Sequence, residues 1–183
     1  EWVVVEVENQ TPVPLALALV VRPLVADAVG AVGEITIEPV EGGTGRDVAH
    51  LVRVDGAPAV VLPRRPAAMA VGDLATGDVV DVVIANEAGQ GIERASCPEG
   101  MATMAFVFPI PHTAVLRAVL PVGDVDATEP VAYPSVVPDA ETVAAGWEIH
   151  RRGPRFEIPE SRIQQAVARA RTQVLLSHDG QAV

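Results

Sequence analysis

Residues 2–22 read WVVVEVE, NQTP, VPLALALVVR, and this stretch decides the fold. Trp2–Glu8 is Val-rich and ends in apolar/polar alternation, the period of a strand. Asn9-Gln10-Thr11-Pro12 is a turn. Val13–Arg22 is apolar at nearly every position, so a strand here is expected to be covered on both faces. The two runs are expected to pair as a hairpin across the turn.

The same pattern recurs along the chain. Glu34–Glu38 (EITIE) alternates cleanly. Ala49–Val54 and Ala59–Leu62 flank Asp55-Gly56, a strong hairpin signal. Ala67–Val71, Val79–Ala85, Met101–Pro109 and Thr113–Leu120 follow as strands, with Ala95–Gly100 as a loop. No helical segment intervenes to build parallel crossovers. The expected fold is therefore all-β: a two-sheet antiparallel sandwich of about nine strands over residues 1–120.

The rhythm changes near residue 150. Pro121, Pro130, Pro134 and Pro138 keep residues 121–158 extended, as a Pro-rich linker. Within it, Asp139–Ala145 reads as one helical turn and Gly146–Arg155 as a short strand. Residues 159–183 hold one amphipathic helix, from Pro159 to about Ser177. Ile163, Ala166, Val167, Ala170, Val174 and Leu175 line one face at helical spacing. Such a stripe needs a surface to cover it, on the sandwich or on a further domain. The sequence opens at Glu1 directly in a strand. The expectation is an accessory domain with the beginning of a neighbour attached.

Composition narrows the function. The chain has 183 residues, is 49% hydrophobic and only 3% aromatic, and carries a net charge of −11. An acidic surface repels phosphate backbones, so nucleic acid is not an expected partner. All 13 basic residues are Arg, which with abundant Ala and Val suggests the coding bias of a GC-rich bacterial genome. Cys97 is the only cysteine, which excludes an internal disulfide. Val13–Val21 falls short of the ~20 apolar residues a membrane helix needs. A cytoplasmic location with no membrane contact is the expectation.

A sandwich, an extended linker and a helix that opens Ile158-Pro159-Glu160-x-x-Ile163 and closes Val174-Leu175-Leu176 resemble bacterial glucoamylase-like and phosphorylase-like glycoside enzymes. Phe106-Val107-Phe108-Pro109-Ile110-Pro111-His112-Thr113 and the segment Gly146–Gln173 carry most of the likeness. In that family an N-terminal β-sandwich is joined by a linker helix to a six-hairpin α/α toroid. The catalytic carboxylates lie in the toroid, so the resemblance implies no catalytic residue here. It implies a domain that buttresses a catalytic barrel, takes part in dimer contacts and shapes one side of a cleft.

Candidate chemistry is sparse. Glu41–Asp47 (EGGTGRD) looks like a phosphate loop, but a strand rather than a helix follows it. His50, His112, His150 and His178 show no metal-ligand spacing, and Cys97 has no companion. Glu93, Glu99, Asp124 and Asp126 are loop acids, weighed as a carboxylate pair, and the last two as calcium ligands. No cofactor, metal or catalytic group is therefore expected. Sugar binding would call for exposed aromatic rings, and the chain has six aromatic residues. Phe106 and Phe108 read as core. Tyr133 and Trp147 are the candidate sugar or interdomain contacts, joined by the basic pair Arg151 and Arg152. The expected function is a non-catalytic interdomain-contact domain of a larger carbohydrate-active protein. Its expected partner is a neighbouring domain of the same polypeptide or a second copy in a homodimer. The alternatives are a stand-alone carbohydrate-binding module and an oligomer-forming sandwich of unrelated function.

Overall fold

The computed structural model describes residues 2–25, 28–122, 130–150 and 159–176. The chain divides into two compact units, Glu1–Val137 and Pro138–Val183.

The first unit is a β-sandwich. Its strands are β1 (Trp2–Glu8), β2 (Leu15–Val21), β3 (Leu24–Val25), β4 (Ala28–Val29), β5 (Glu34–Val40), β6 (Ala49–Val54), β7 (Ala57–Leu62), β8 (Ala68–Gly72), β9 (Arg94–Ser96), β10 (Thr103–Ile110) and β11 (Val115–Pro121). Nine of them form two antiparallel sheets, ordered β1-β11-β7-β6-β5-β9 and β2-β10-β8. The strands β3 and β4 make a small separate hairpin.

Alternation along the strands explains the layers. Ile35, Ile37, Val52, Leu62, Met69, Met104, Phe106, Phe108 and Leu116 fill the space between the sheets. Successive residues on β10 split accordingly: Phe106 enters this core, whereas Ala105 faces outward into a second cluster with Ala70 and Val79. A third cluster lies on the outer face of the six-stranded sheet, where Ala49, Leu51, Val61 and Val119 meet Tyr133. The expectation that β2 is covered on both faces holds only for its second part, which is half-buried, whereas Val13, Leu15 and Ala16 are exposed. Leu17, Leu19 and Val21 pack inward while Val20 packs outward.

Three local expectations are corrected within the first unit. β1 and β2 do not pair as a hairpin: β1 pairs with β11 and β2 with β10, in different sheets. Residues 9–14 instead turn a corner between the sheets, and the segment from Pro111 to Ala114 turns the matching one. Asn9, 1% exposed, holds the two corners together. Its Nδ2 donates to the carbonyls of Val13 (2.9 Å) and Ile110 (2.8 Å). Its Oδ1 accepts from the N–H and hydroxyl of Thr11 at 2.9 and 2.7 Å. Its backbone exchanges bonds with Ala114 and Thr113. A buried amide is tolerated here because both its donors and its acceptor are filled.

Val79–Ala85, expected as a strand, is helix α1 over Val79–Ile84. Asp78 starts it by accepting from the Val80 N–H, and Asn86 takes a left-handed conformation just past its end. Tertiary packing overrides the β-propensity of the valines. Val79, Val80, Val82 and Val83 all lie against the outer face of the three-stranded sheet. Of the loop expected over Ala95–Gly100, Ala95 and Ser96 belong to the edge strand β9, while residues 97–100 are loop.

The second unit contains helices α2 (Ala140–His150) and α3 (Ser161–Leu176). Asp139 Oδ1 accepts from the Thr142 N–H at 2.7 Å and starts α2. The helix runs eleven residues, well past the single turn expected. Gly146–His150 is therefore helix, not strand; residues 151–155 of that expected strand lie outside the described residues.

Asp55-Gly56 forms the expected hairpin turn, with φ of 49° and 83° as a type I′ turn requires. The Asp55 carboxylate adds a second function: its Oδ1 accepts from the N–H groups of Gly33 (2.9 Å) and Glu34 (2.8 Å).

Candidate functional site

A cleft of about 660 Å³ in the first unit opens between the two sheets. Its walls combine apolar Ile37 and Met69 with His50, Arg64, Arg65, Asp47 and Glu93. Pro63 and Pro66 are both buried and fix the backbone on either side of the two arginines. Arg64 Nη2 donates to the Pro109 carbonyl at 3.0 Å. The guanidinium also sits 5.5 Å from the centroid of the Phe108 ring, within cation–π range. Arg65 pairs with Glu93 at 3.1 Å, but both side chains are more than half exposed, so the pair is weak. His50 is 8% exposed, and its Nδ1 lies 3.0 Å from the Val48 carbonyl. A carbonyl only accepts, so Nδ1 carries a proton, and a ring with that one proton presents Nε2 as an acceptor.

A smaller apolar hollow of about 360 Å³ lies between the β3–β4 hairpin and the 73–78 loop. Leu24, Val29 and Leu74 there are 60%, 65% and 69% exposed. Arg22 and Asp78 bridge its rim at 2.5 Å. The Val80 N–H, then Arg22, hold the Asp78 carboxyl below the usual aspartate value. Asp73 is lowered too, through bonds from the backbone and hydroxyl of Thr76.

The remaining sequence candidates fall apart in space. Cys97 is buried, and its thiol donates to Glu99 Oε2 at 3.2 Å. Glu93 and Glu99 thus have separate partners, Arg65 and Cys97. His112 Nδ1 is bonded to the Thr11 carbonyl at 2.8 Å. The Gly-rich segment is a loop entering β6, with Gly42 and Gly43 at φ of 90° and 136°. A Cβ on Gly43 would stand 2.1 Å from the Asp47 carbonyl oxygen. These glycines serve a tight turn. No group of three or more His, Cys, Asp or Glu suited to a metal occurs among the described residues.

Tyr133 is 7% exposed, because its ring plugs the outer face of the six-stranded sheet. Its hydroxyl donates to the Arg117 carbonyl at 3.0 Å, and burial raises its pKa above the ordinary value. It is a packing residue and offers no ring face to a sugar. Trp147, on α2, is 43% exposed. Asp124, Asp126, Arg151, Arg152 and His178 lie outside the described residues, as does the side chain of His150. On α3, Ile163, Val167 and Val174 of the expected stripe are 47%, 37% and 68% exposed.

Sequence reading missed the cleft. Its arginines sit in an unremarkable PRRP run, and the pairing of β5, β6 and β8 residues around them needs the sheet order. Comparison with known proteins found no matching family model, no similar curated protein and no similar solved structure. The class defined by the fold is an all-β sandwich. None of its helices is long and apolar enough to cross a membrane, among the described residues.

Proposed function

We propose that this chain works by contact rather than by chemistry, as a non-catalytic β-sandwich module seated against a neighbouring domain of the same polypeptide. The observation that supports this reading is the apolar stripe of α3, where Ile163, Val167 and Val174 are exposed. Exposed apolar surface in one row marks an interaction face. A larger carbohydrate-active bacterial protein as the parent belongs to the same proposal and rests on the resemblance of element order. The test substitutes Ile163→Glu and Val167→Glu together, in this chain and in the full natural polypeptide. In this chain the unfolding free energy is expected to stay within about 0.5 kcal/mol of its unsubstituted value, as for surface positions. In the full polypeptide the substitution separates the unfolding of the two domains. Unchanged melting in both settings would refute the proposal.

A second reading, self-association, is favoured by one specific observation. β1 is the edge of the six-stranded sheet, and Trp2, Val3 and Val5 on it are 41%, 50% and 38% exposed. It has no Pro, Gly or Lys, the usual guards of an edge. Its Glu6 is tied to Arg117 at 2.5 Å and so is not free to repel a partner strand. Sedimentation of the wild type and of Val5→Lys decides this reading: a dimer that dissociates in the variant supports it, and a wild-type monomer at high concentration removes it.

A further inference from the structure

We propose that the cleft between the sheets binds a small monocarboxylate that also carries a hydroxyl or ammonium donor, with Arg64 as its anchor. Four arginines among the described residues are half-buried: Arg22, Arg53, Arg64 and Arg117. Three of them pair with a carboxylate, namely Asp78, Glu38 and Glu6. Arg64 pairs with none among the described residues. Its hydrogen bond to the Pro109 carbonyl, the one it makes among those residues, uses one of five N–H donors. A partly desolvated guanidinium without a paired carboxylate is less well solvated than a surface one, and an anion entering the cleft would offset that. The group is also prearranged, by the Phe108 ring beneath it and the buried prolines beside it, so little side-chain entropy is lost on binding. A rigid guanidinium fork suits a planar carboxylate.

The other wall residues set the ligand's remaining groups. Asp47 and Glu93 place negative charge around the cleft, which disfavours a dianion such as phosphate. Among the described residues the exposed Asp47 side chain has no ion pair or hydrogen bond, so it is available to accept from a hydroxyl or ammonium. His50 Nε2 is a second acceptor for such a donor. The cleft volume, about 660 Å³, suits a ligand of a few to a few tens of heavy atoms.

The test is an NMR titration of the whole chain with glycolate, acetate and inorganic phosphate. Glycolate is expected to shift the amide signals of Val48, His50, Arg65 and Glu93 in a saturable way. Acetate and phosphate are expected to bind several-fold more weakly. Arg64→Lys keeps the charge but loses the fork, and is expected to weaken glycolate about tenfold. Asp47→Asn, at an exposed position, is expected to erase the lead of glycolate over acetate and to strengthen phosphate. The proposal is overturned if glycolate causes no localised shifts, if phosphate binds the wild type more tightly, or if Arg64→Lys binds glycolate unchanged. Should Arg64→Lys fail to fold, Asp47→Asn decides alone: an undiminished preference for glycolate over acetate overturns it.

Discussion

The two sheets of the sandwich are coated on their outer faces in different ways. Over the three-stranded sheet lies helix α1, resting on Ala70, Ala105 and Val20. Over the six-stranded sheet lies residues 130–137, with one ring, Tyr133, against Ala49, Leu51, Val61 and Val119. A helix is a broad cylinder and needs a low floor. The alanines provide it, and Gly72 shows how close the start of the helix comes, because a Cβ there would stand 2.9 Å from the Val79 backbone nitrogen. A single extended segment covers less area, so it relies on one large side chain and a taller aliphatic floor. Small residues on an outer sheet face thus signal a helix above, and larger ones a strap.

Removing the strap's plug is the harshest way to test that contrast. Tyr133→Ala is expected to cost about 3 kcal/mol, read by urea unfolding, since it removes a buried ring. Raising the helix floor comes next. Ala105→Leu is expected to cost about 2 kcal/mol by overpacking and to speed hydrogen exchange at the α1 amides while sparing residues 131–137. Loss of protection on both faces at once would show that the coats are coupled and would break the comparison. Removing the α1 cap by Asp78→Ala is expected to lower stability less than either, because it removes one exposed side-chain bond to the Val80 N–H. Combined with Tyr133→Ala it should add to within about 0.5 kcal/mol if the coats are independent. Tyr133→Phe keeps the plug but leaves the Arg117 carbonyl without its donor, for about 1 kcal/mol or less.

Proton linkage gives the gentlest test, with opposite signs for the two coats. Asp78 has a lowered carboxyl pKa in the folded chain, so the stability it lends is present above the ordinary aspartate value, 3.8, and is lost as pH falls through the folded value. Tyr133 has a raised pKa, so its contribution is intact below the ordinary tyrosine value, 10.0, and is lost as pH rises through the folded value. Acid melts should therefore loosen the helix-coated face and alkaline melts the strap-coated one. Exchange measured at the two extremes checks the order.

Much of this arrangement was legible beforehand. Alternation located the strands from Glu34 to Leu62, and Asp55-Gly56 fixed their hairpin. The unbroken apolar run of β2 announced two covered faces, which its second part has. Partners were not legible where the chain changes sheet. Nothing local distinguishes the turn at Asn9 from a hairpin, because the groups that satisfy its side chain come partly from Ile110, 101 residues away. Val79–Ile84 misled for the opposite reason: its valines favour a strand, and only the cap at Asp78 and the alanine floor beneath turn them into a helix. The cleft was hidden because its charge comes from Arg64 and its walls from strands apart in sequence. Tyr133 was visible as a rare aromatic, but its burial depends on a sheet face 70 residues and more upstream as well as on β11.

The pairing of β1 with β11 also sets a timetable. Glu6 and Arg117 meet across that pair, 111 residues apart. At synthesis rates of about 5–20 residues per second, WVVVEVE waits roughly 6–20 seconds between its own translation and that of its strand partner. β2 waits similarly for β10. Of the strands of this sandwich, the two made first are thus among the most apolar and the last to find their places. A sandwich closed by its first strand carries a nascent-chain hazard that a simple meander would avoid, and its yield in the cell should respond to chaperones that shield exposed apolar segments during translation.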